Sequence, residues 1–337
     1  MIFVKLYDQC IGKIYTNSFD GKVYFQYENE SSCLNPFPYV FPKRKQPYCI
    51  GQIDDFSLDG FPGVFCEAPN NQLCGIAAYE FLKCLKGNVL GALEFITDED
   101  DGKENVSYNF VGGMVKKHCT ENWIVKVEEP KNRPYDLLTI EYSLTLLAKT
   151  ANISCVEMEP CELNNCRCLK IKRFDRVENQ KVHYESCHAL AKKRIDIKKE
   201  SDLRLVLNIL PSLNISLEDK LMLFKMIVFN FCVHNNDCHL VNIGFLMDAL
   251  GRWSLAPAFD ISFSLKKRFV KIDGACQNVT RRDFLALGRQ MGFDLPILNV
   301  TIDEVLCSIQ NWPFCASTVG LSIDQINLIY SYFIKDI

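Results

Sequence analysis

The feature that most constrains this chain is an apolar stretch at residues 221–233, followed at once by the polar cluster HNNDCHLVN at residues 234–242. The stretch predicts a helix over residues 217–233 at the centre of a globular lobe, and Ser216 is placed to cap its first turn. Polar side chains behind such a helix are costly to bury unless hydrogen bonds or a function retain them. The cluster is therefore the first candidate site.

Within the cluster, Asp237 and Asn242 have the spacing D-x-x-x-x-N of a protein-kinase catalytic loop. In that loop the aspartate reaches the acceptor hydroxyl, and the amide oxygen holds a magnesium ion on the phosphates. A second metal carboxylate should follow a short hairpin. Residues 243–255, with a turn at 248–251, predict that hairpin, and Asp260 comes just after it. The alternative is a polar loop that only caps a buried helix, because this spacing alone is common.

Upstream, Gly112 and Gly113 form a candidate phosphate loop together with Met114, Lys116 and Lys117. Adjacent glycines permit close approach of the backbone to a ligand, and exposed amides beside lysines favour phosphate oxygens. A glycine pair alone is more often an ordinary turn. This pair gains weight from the residues that lie downstream of it in the chain.

Lys126 lies inside a predicted strand, residues 123–127, where a lysine is costly to bury without an anionic partner. Glu141, on an amphipathic helix predicted at residues 137–149, falls where a kinase places the partner of that lysine. The alternatives are an edge-strand lysine that reaches water and an exposed helical glutamate. A strand at residues 168–172 then leads into a segment that we interpret as a hinge between lobes.

These parts occur in one order: glycine loop, strand lysine, helix glutamate, D-x-x-x-x-N loop and metal aspartate. Each is weak alone, but the order is that of a phosphoryl-transfer enzyme. The chain divides into a β-rich part at residues 1–100, a nucleotide-binding part at 101–200 and a helical lobe with the catalytic loop at 201–337.

The flanking segments predict further elements. Residues 2–28 predict a three-stranded meander with turns at residues 8–9 and 20–21, and residues 73–93 an interrupted helix. The acidic run at 98–104 predicts a solvated loop at a boundary. Tail helices are predicted at residues 280–291, 301–310 and 322–334.

Composition excludes several classes of protein. With 337 residues and 48% hydrophobic content, the chain can bury a large core, and a net charge of -3 leaves no basic footprint for nucleic acid. We find no signal peptide and no run long enough for a membrane helix, so the 17 cysteines are expected to be reduced thiols of an intracellular protein. The densest group lacks paired zinc knuckles, which makes a structural zinc the weaker interpretation of Cys155, Cys161, Cys166 and Cys168.

With these residues in view, the chain resembles the HipA family of bacterial serine/threonine kinases, the toxins of toxin–antitoxin modules. The most specific motifs are NNDCHLVN and LAPAFDIS, where the family reads N-x-D-x-H-x-K-N and L-x-P-x-Y-D-x-x-S. KRFDR, VHYES and IVK extend the likeness upstream, and FPGVF and the β-rich opening extend it over essentially the whole chain. It implies an α+β fold of two-lobed protein-kinase-like (HipA-like) type, with a small N-terminal β subdomain and an all-α C-terminal lobe.

The resemblance also implies residue roles, with ATP and Mg²⁺ as cofactors. Asp237 would be the catalytic aspartate, and Asn242 and Asp260 the magnesium ligands. The implied nucleotide-binding residues are Gly112, Gly113, Met114, Lys116 and Lys117 in the phosphate loop, Lys126 with its partner Glu141, Lys172, Arg173 and Phe174 at the hinge, and His239 beside the nucleotide.

The family phosphorylates a protein, an aminoacyl-tRNA synthetase in known members, and so inhibits translation and growth. A small helix-turn-helix antitoxin neutralises it. For this chain we therefore expect a protein substrate and such a partner, with no direct nucleic-acid binding and no membrane. The expected location is the cytoplasm of the producing cell, or of a host cell if the protein is exported.

Three positions depart from the family pattern: Val241 replaces the motif lysine, Phe110 replaces the serine that opens the glycine loop, and His234 replaces a glycine. Val241 and Phe110 motivate an alternative, a pseudokinase that binds nucleotide or a partner without phosphate transfer. A metallohydrolase that uses His234, Asp237 and His239 is a third hypothesis, and a small-molecule kinase of the same fold a fourth.

Overall fold

The computed structural model describes residues 1–28, 34–39, 41–49, 79–80, 82–83, 91–97, 109–112, 115–128, 136–163, 166–178, 180–191, 202–265, 271–272 and 279–337, with only the backbone at 109–112 and 115–119. Its strands are β1 Ile2–Leu6, β2 Gln9–Thr16, β3 Val23–Tyr27, β4 Tyr48–Cys49, β5 Leu93–Thr97, β6 Asn109–Gly112, β7 Val115–Cys119, β8 Trp123–Glu128, β9 Met158–Leu163, β10 Cys166–Lys172, β11 Arg176–Val177, β12 Gln180–Lys181, β13 His183–Ser186, β14 Gly244–Met247 and β15 Trp253–Leu255. Its helices are α1 Leu137–Thr150, α2 Cys187–Leu190, α3 Arg204–Leu213, α4 Leu217–Cys232, α5 Arg281–Gln290, α6 Leu295–Ser308, α7 Trp312–Thr318 and α8 Ile323–Tyr332, with 3-10 turns at Leu240–Asn242 and Ile309–Asn311.

The N-terminal part is an antiparallel sheet in the order β4-β3-β2-β1-β5. Alternate side chains of β1 and β3 are buried, as a sheet with one covered face requires. The predicted meander is confirmed, with one shift. The first turn lies at Tyr7 and Asp8, because Leu6 pairs with Gln9 and both turn residues have positive φ. Such a turn matches the twist of a two-residue hairpin.

A second antiparallel sheet, in the order β6-β7-β8-β10-β9, carries α1 on one face. Leu138 of α1 packs with Leu169 and Ile171 of β10 in a small core. Asp136 caps the helix by accepting hydrogen bonds from the amides of Leu138 and Thr139. The predicted strand at 123–127 and helix at 137–149 are therefore confirmed to within one residue. The sheet and the helix bring the strand lysine and the helix glutamate onto facing surfaces.

The helical lobe is organised around α4, which begins at Leu217 as predicted. The Ser216 hydroxyl accepts the Asp219 amide at 3.0 Å. Of the predicted tail helices, the first and last are confirmed as α5 and α8. The middle one is α6, which begins at Leu295 and so earlier than predicted. Pro296 stands in its first turn, where proline is tolerated. Helix α7 was not predicted.

A three-stranded sheet, β13-β14-β15, lies at the junction of the parts. The predicted hairpin is present as β14 and β15, with Gly251 in the left-handed conformation at the turn. Met247 is fully buried in the core of the N-terminal sheet, and Trp253 contacts both that core and the core of the helical lobe. The hairpin is thus shared between the two.

The interrupted helix predicted at residues 73–93 falls largely outside the described residues, as does the acidic run at 98–104. Tyr79, Glu80, Leu82 and Lys83 are helical, but Leu93 begins β5, so the predicted end of that helix is wrong. In the stretches that the structure covers, no helix is long and apolar enough to cross a membrane.

Candidate active site

The centre of the candidate site is Lys126, buried on β8 between two carboxylates. Its Nζ lies 2.6 Å from Oε1 of Glu141 on α1, and it also contacts Oδ1 of Asp260. The lysine and Glu141 side chains are only 6% and 7% exposed. Burial by itself lowers the pKa of Lys126, but the negative charges of Asp260 and Glu141 outweigh it and raise that pKa. The lysine therefore stays charged and joins the sheet, α1 and the segment after the β14–β15 hairpin.

Asp237 and Asn242 lie on the loop that follows α4. Asp237 is partly exposed, and its Oδ1 lies 3.5 Å from Nε2 of His239. Asn242 ends the 3-10 turn, which its backbone amide stabilises by donating to the His239 carbonyl at 2.8 Å. The loop thus carries a carboxylate with an imidazole neighbour and, five residues later, an amide side chain.

The buried amide side chains of Asn235 and Asn236 hold this loop to neighbouring segments by hydrogen bonds. Asn235 donates to Oδ1 of Asn230 on α4 at 2.8 Å and accepts the Ser262 hydroxyl at 3.0 Å. Asn236 donates to the Ser264 carbonyl at 3.0 Å. No role was predicted for Asn235 and Asn236. Their position directly after an apolar helix was the signal that could have indicated one. They connect the catalytic loop to the segment after Asp260.

Asp260 stands in the left-handed region, with φ at 56°. A non-glycine residue rarely adopts that conformation unless its surroundings enforce it. Here Ala258 is held by a parallel bridge to Cys155, with its amide on the Ser154 carbonyl at 2.8 Å. The bridge fixes the segment just before Asp260, and Lys126 holds the carboxylate itself.

The three predicted hinge residues have different surroundings. Lys172 is exposed and pairs with Glu157 at 3.0 Å. The side chain of Arg173 is fully buried in a two-point contact with Asp175, at 2.9 and 2.7 Å. The Phe174 ring packs against Phe259, with centroids 5.6 Å apart. Phe259 directly precedes Asp260, so the Phe174 ring packs beside the segment that carries Asp260.

Asp175 lies in the segment at residues 173–176 that was interpreted as the hinge, but its contacts with the N-terminal part were not predicted. Its carboxylate is 1% exposed and contacts Arg173, Arg176 at 2.9 Å and the backbone amide of Gly91 at 2.7 Å. Arg176 also donates to the Gly91 carbonyl at 3.1 Å. This charged cluster fastens the N-terminal part to the lobe that carries Lys126.

The glycine loop is described only in part. Gly112 ends β6, opposite Val115 of β7, whereas Gly113 and Met114 lie outside the described residues. Lys116 and Lys117 are on β7, and Lys117 pairs in register with Lys126. The backbone therefore places this hairpin next to the strand of the buried lysine.

A pocket lies between α4 and the catalytic loop. Its wall is mostly apolar, and its polar residues include Asn230, Asn235, His239 and Asn242. Cys238, the residue next to Asp237 in the loop, also lines it.

The donor chemistry at Asn242 and Asp260 fits a magnesium ion, which prefers oxygen ligands, keeps waters and is bound by one or two carboxylates plus substrate phosphates. Zinc and iron sites usually include nitrogen or sulfur ligands, or more protein ligands than these two residues supply. Among the described residues, no group of three His, Cys, Asp or Glu could hold a metal ion. The His234 ring Nδ1 lies 3.0 Å from the Ser264 carbonyl.

Together, the sheet with its buried lysine, the glutamate helix and the helical lobe with its D-x-x-x-x-N loop define a two-lobed, protein-kinase-like α+β protein. Residues 99–312 match the family model of the HipA-like C-terminal domain, well over half of the chain. The chain therefore belongs to the HipA family, and both the predicted family and the predicted fold class are confirmed.

The likeness to one solved structure supports the same fold. The HipA of Shewanella oneidensis MR-1, in a complex with HipB and operator DNA, is similar with a TM-score of 0.71 at 13% identity, over 98% of this chain and 95% of that one. The Helicobacter pylori proinflammatory kinase CtkA gives a TM-score of 0.42 at 14% identity, over 67% and 90%. Among curated proteins, no significant match was found.

Proposed function

We propose that this chain is an ATP- and Mg²⁺-dependent serine/threonine protein kinase of HipA type. The observation that carries the proposal is the buried Lys126, held by Glu141 and Asp260, in a chain whose loop after α4 carries Asp237 and Asn242. Phosphoryl transfer requires this set of groups, a cation on the phosphates, a carboxylate at the acceptor and oxygen ligands for magnesium.

In this mechanism each residue has one task. The Asp237 carboxylate accepts the proton of the acceptor hydroxyl, and the His239 ring at 3.5 Å orients that carboxylate. Asn242 and Asp260 would hold the metal, and Lys126 would bind phosphate oxygens. Magnesium, when bound, neutralises charge on the phosphates. The residues of the cleft then align the acceptor oxygen with the phosphorus, and alignment supplies much of the rate.

The proposed partners follow from family membership and from the likeness to the Shewanella HipA. That protein was solved with HipB and operator DNA, and the likeness covers 98% of this chain. We infer a HipB-like helix-turn-helix antitoxin as partner, and a protein such as an aminoacyl-tRNA synthetase as substrate in the cytoplasm. Phosphorylation of that substrate would inhibit translation and growth.

The decisive experiment is transfer of labelled γ-phosphate from ATP by the purified protein in a cell lysate, with and without Mg²⁺. Asp237→Asn is the matched variant because it keeps the shape of the side chain and removes the base. A labelled protein band that requires Mg²⁺ and disappears with Asp237→Asn supports the proposal. Label that persists in the variant refutes the role of Asp237, and label confined to small molecules indicates a small-molecule kinase.

The pseudokinase alternative has one specific observation in its favour. Val241, in the 3-10 turn beside Asn242, replaces the lysine of the family motif and removes one positive charge near the phosphates. Binding of ATP without transfer to any acceptor, including the protein itself, would favour this alternative. Equilibrium binding of a fluorescent ATP analogue, measured beside the transfer assay, separates the two.

A further inference from the structure

His234 lies at the root of the catalytic loop, where the family has glycine, and its φ is 59°. The structure therefore keeps the left-handed backbone for which glycine is best suited, but with an imidazole attached. A side chain retained at a strained position needs compensating contacts. His234 has contacts on two sides.

The first set joins His234 to the segment after Asp260. Its ring Nδ1 lies 3.0 Å from the Ser264 carbonyl, and its own carbonyl accepts the Ser264 amide at 3.3 Å. Asn236 donates to the same Ser264 carbonyl at 3.0 Å. The Asn236 amide nitrogen also lies 3.0 Å from the His234 ring Nδ1, so the imidazole, this amide and the Ser264 carbonyl form one polar cluster. Residue 234 thus holds Ser264 at two points.

The second set consists of three aromatic rings. The His234 ring centroid lies 5.9 Å from that of Phe263 and 5.6 Å from that of Tyr332 on α8, and Phe263 and Tyr332 are 5.7 Å apart. The amide of Ile334 donates to the carbonyl of Cys232, the last residue of α4, at 2.9 Å. The end of the chain is therefore packed against the root of the catalytic loop.

The clamp, defined as His234, Phe263, Ser264 and Tyr332, has a direct geometric consequence. Asp237 follows His234 by three residues, and Asp260 precedes Phe263 by three. The position of one aspartate relative to the other therefore depends on how these two segments are joined.

We propose that His234 is a positioning residue, whose imidazole fixes the segment after Asp260, and the last helix of the chain, to the catalytic loop. This role rests on the proposed kinase function. The clamp replaces the flexibility of a glycine with a link that sets the distance between the acceptor base and the metal ligand.

Two substitutions distinguish the effect of the His234 side chain from that of its backbone conformation. His234→Gly tolerates the positive φ and removes the ring. His234→Asn also tolerates it, since asparagine is enriched in this region, and offers an amide that can donate to the Ser264 carbonyl. With saturating ATP, we expect kcat to fall by about 10- to 100-fold for His234→Gly, the size expected for a small misplacement of reacting groups. His234→Asn should recover part of that loss, and the apparent affinity for Mg²⁺ should fall in parallel.

Hydrogen exchange provides the readout that does not depend on activity. We expect faster exchange of the peptide covering residues 261–265 in the full-length His234→Gly variant, and slower exchange again in His234→Asn, without loss of cooperative unfolding in either. Unchanged exchange there in His234→Gly overturns the clamp. Unchanged kcat and Mg²⁺ dependence with altered exchange overturns the positioning role. A wild-type protein without transfer activity refutes the proposed function, and with it the positioning role of His234. Hydrogen exchange still shows in that case whether the clamp exists.

Discussion

Lys126 offers the sharpest test of the structure, because it is buried between two carboxylates. The change Lys126→Met keeps the length of the apolar stem and removes the charge. Glu141 is then buried with its lysine partner gone, and breaking a buried ion pair in this way costs about 3–5 kcal/mol. Asp260 is about a third exposed, so water screens its share of the loss. We expect a loss of about 3 kcal/mol in the free energy of unfolding.

The assay is urea unfolding at neutral pH, followed by circular dichroism, with a double-mutant cycle. Glu141→Gln alone should also destabilise the protein, but the two changes together should cost less than the sum of the single changes by about 1 kcal/mol or more, as expected for groups in direct contact. Lys172→Met is the matched control. Its pair with Glu157 is exposed, and exposed pairs contribute about 0–1 kcal/mol.

The direction of the pH dependence follows from the raised pKa of Lys126. A lysine whose pKa is raised on folding contributes stability fully below its unfolded pKa, about 10.5, and loses it as the pH rises through the higher folded value. The difference between wild type and Lys126→Met should therefore be constant near neutrality and shrink only in strong alkali. Equal stability of the two proteins at pH 7, or strict additivity in the cycle, would refute the reasoning.

Three further predictions concern other parts of the molecule. Val241→Lys should raise the transfer rate several-fold at low ATP by adding a positive charge beside the phosphates; an unchanged KM for ATP would contradict it. Burial and a hydrogen bond with Asp136 raise the pKa of Glu128 to about 7, so Glu128 contributes stability that is lost as pH rises from about 4.5 to about 7. Buried His183, whose pKa is lowered to about 3, has the opposite effect, so the test is the difference between wild type and Glu128→Gln in thermal melts. The stability of the wild type relative to Glu128→Gln should fall across this window, and a constant difference would exclude the Glu128 contribution. Asp175→Asn should cost about 3 kcal/mol or more in urea unfolding, because Arg173 stays buried without its carboxylate; a loss under about 1 kcal/mol would show that the cluster is not essential.

The sequence predicted the local elements and the order of the site well where periodicity and capping signals agree. Helix α4 begins at Leu217 because Ser216 caps it, and the β14–β15 hairpin was apparent from its turn residues. The lysine on β8 and the glutamate on α1 were paired by analogy with kinases, and the structure places them 2.6 Å apart. What these residues do toward a nucleotide stays a prediction.

Tertiary contacts explain what the sequence did not show. Arg173 was interpreted as a hinge residue, yet it is buried against Asp175, which also accepts a hydrogen bond from Gly91, 84 residues away. No local pattern encodes such a contact. Helix α7 was missed because Pro313 near its start resembles a helix breaker, although proline is tolerated in a first turn. His234 could be recognised as a departure from glycine, but its neighbours Phe263 and Tyr332 come from distant segments.

The shared hairpin has a consequence for how proteins of this kind are built. The family domain that the chain matches begins at residue 99, yet Met247 within it is covered by the N-terminal sheet, and Asp175 takes a hydrogen bond from Gly91. Exposing one such apolar side chain costs about 1.5–3 kcal/mol, and uncovering the charged cluster adds to that cost. The N-terminal sheet is therefore not an exchangeable module. A recombination event that replaced residues 1–97 would succeed only if it also supplied a matching surface for Met247, Trp253 and Asp175.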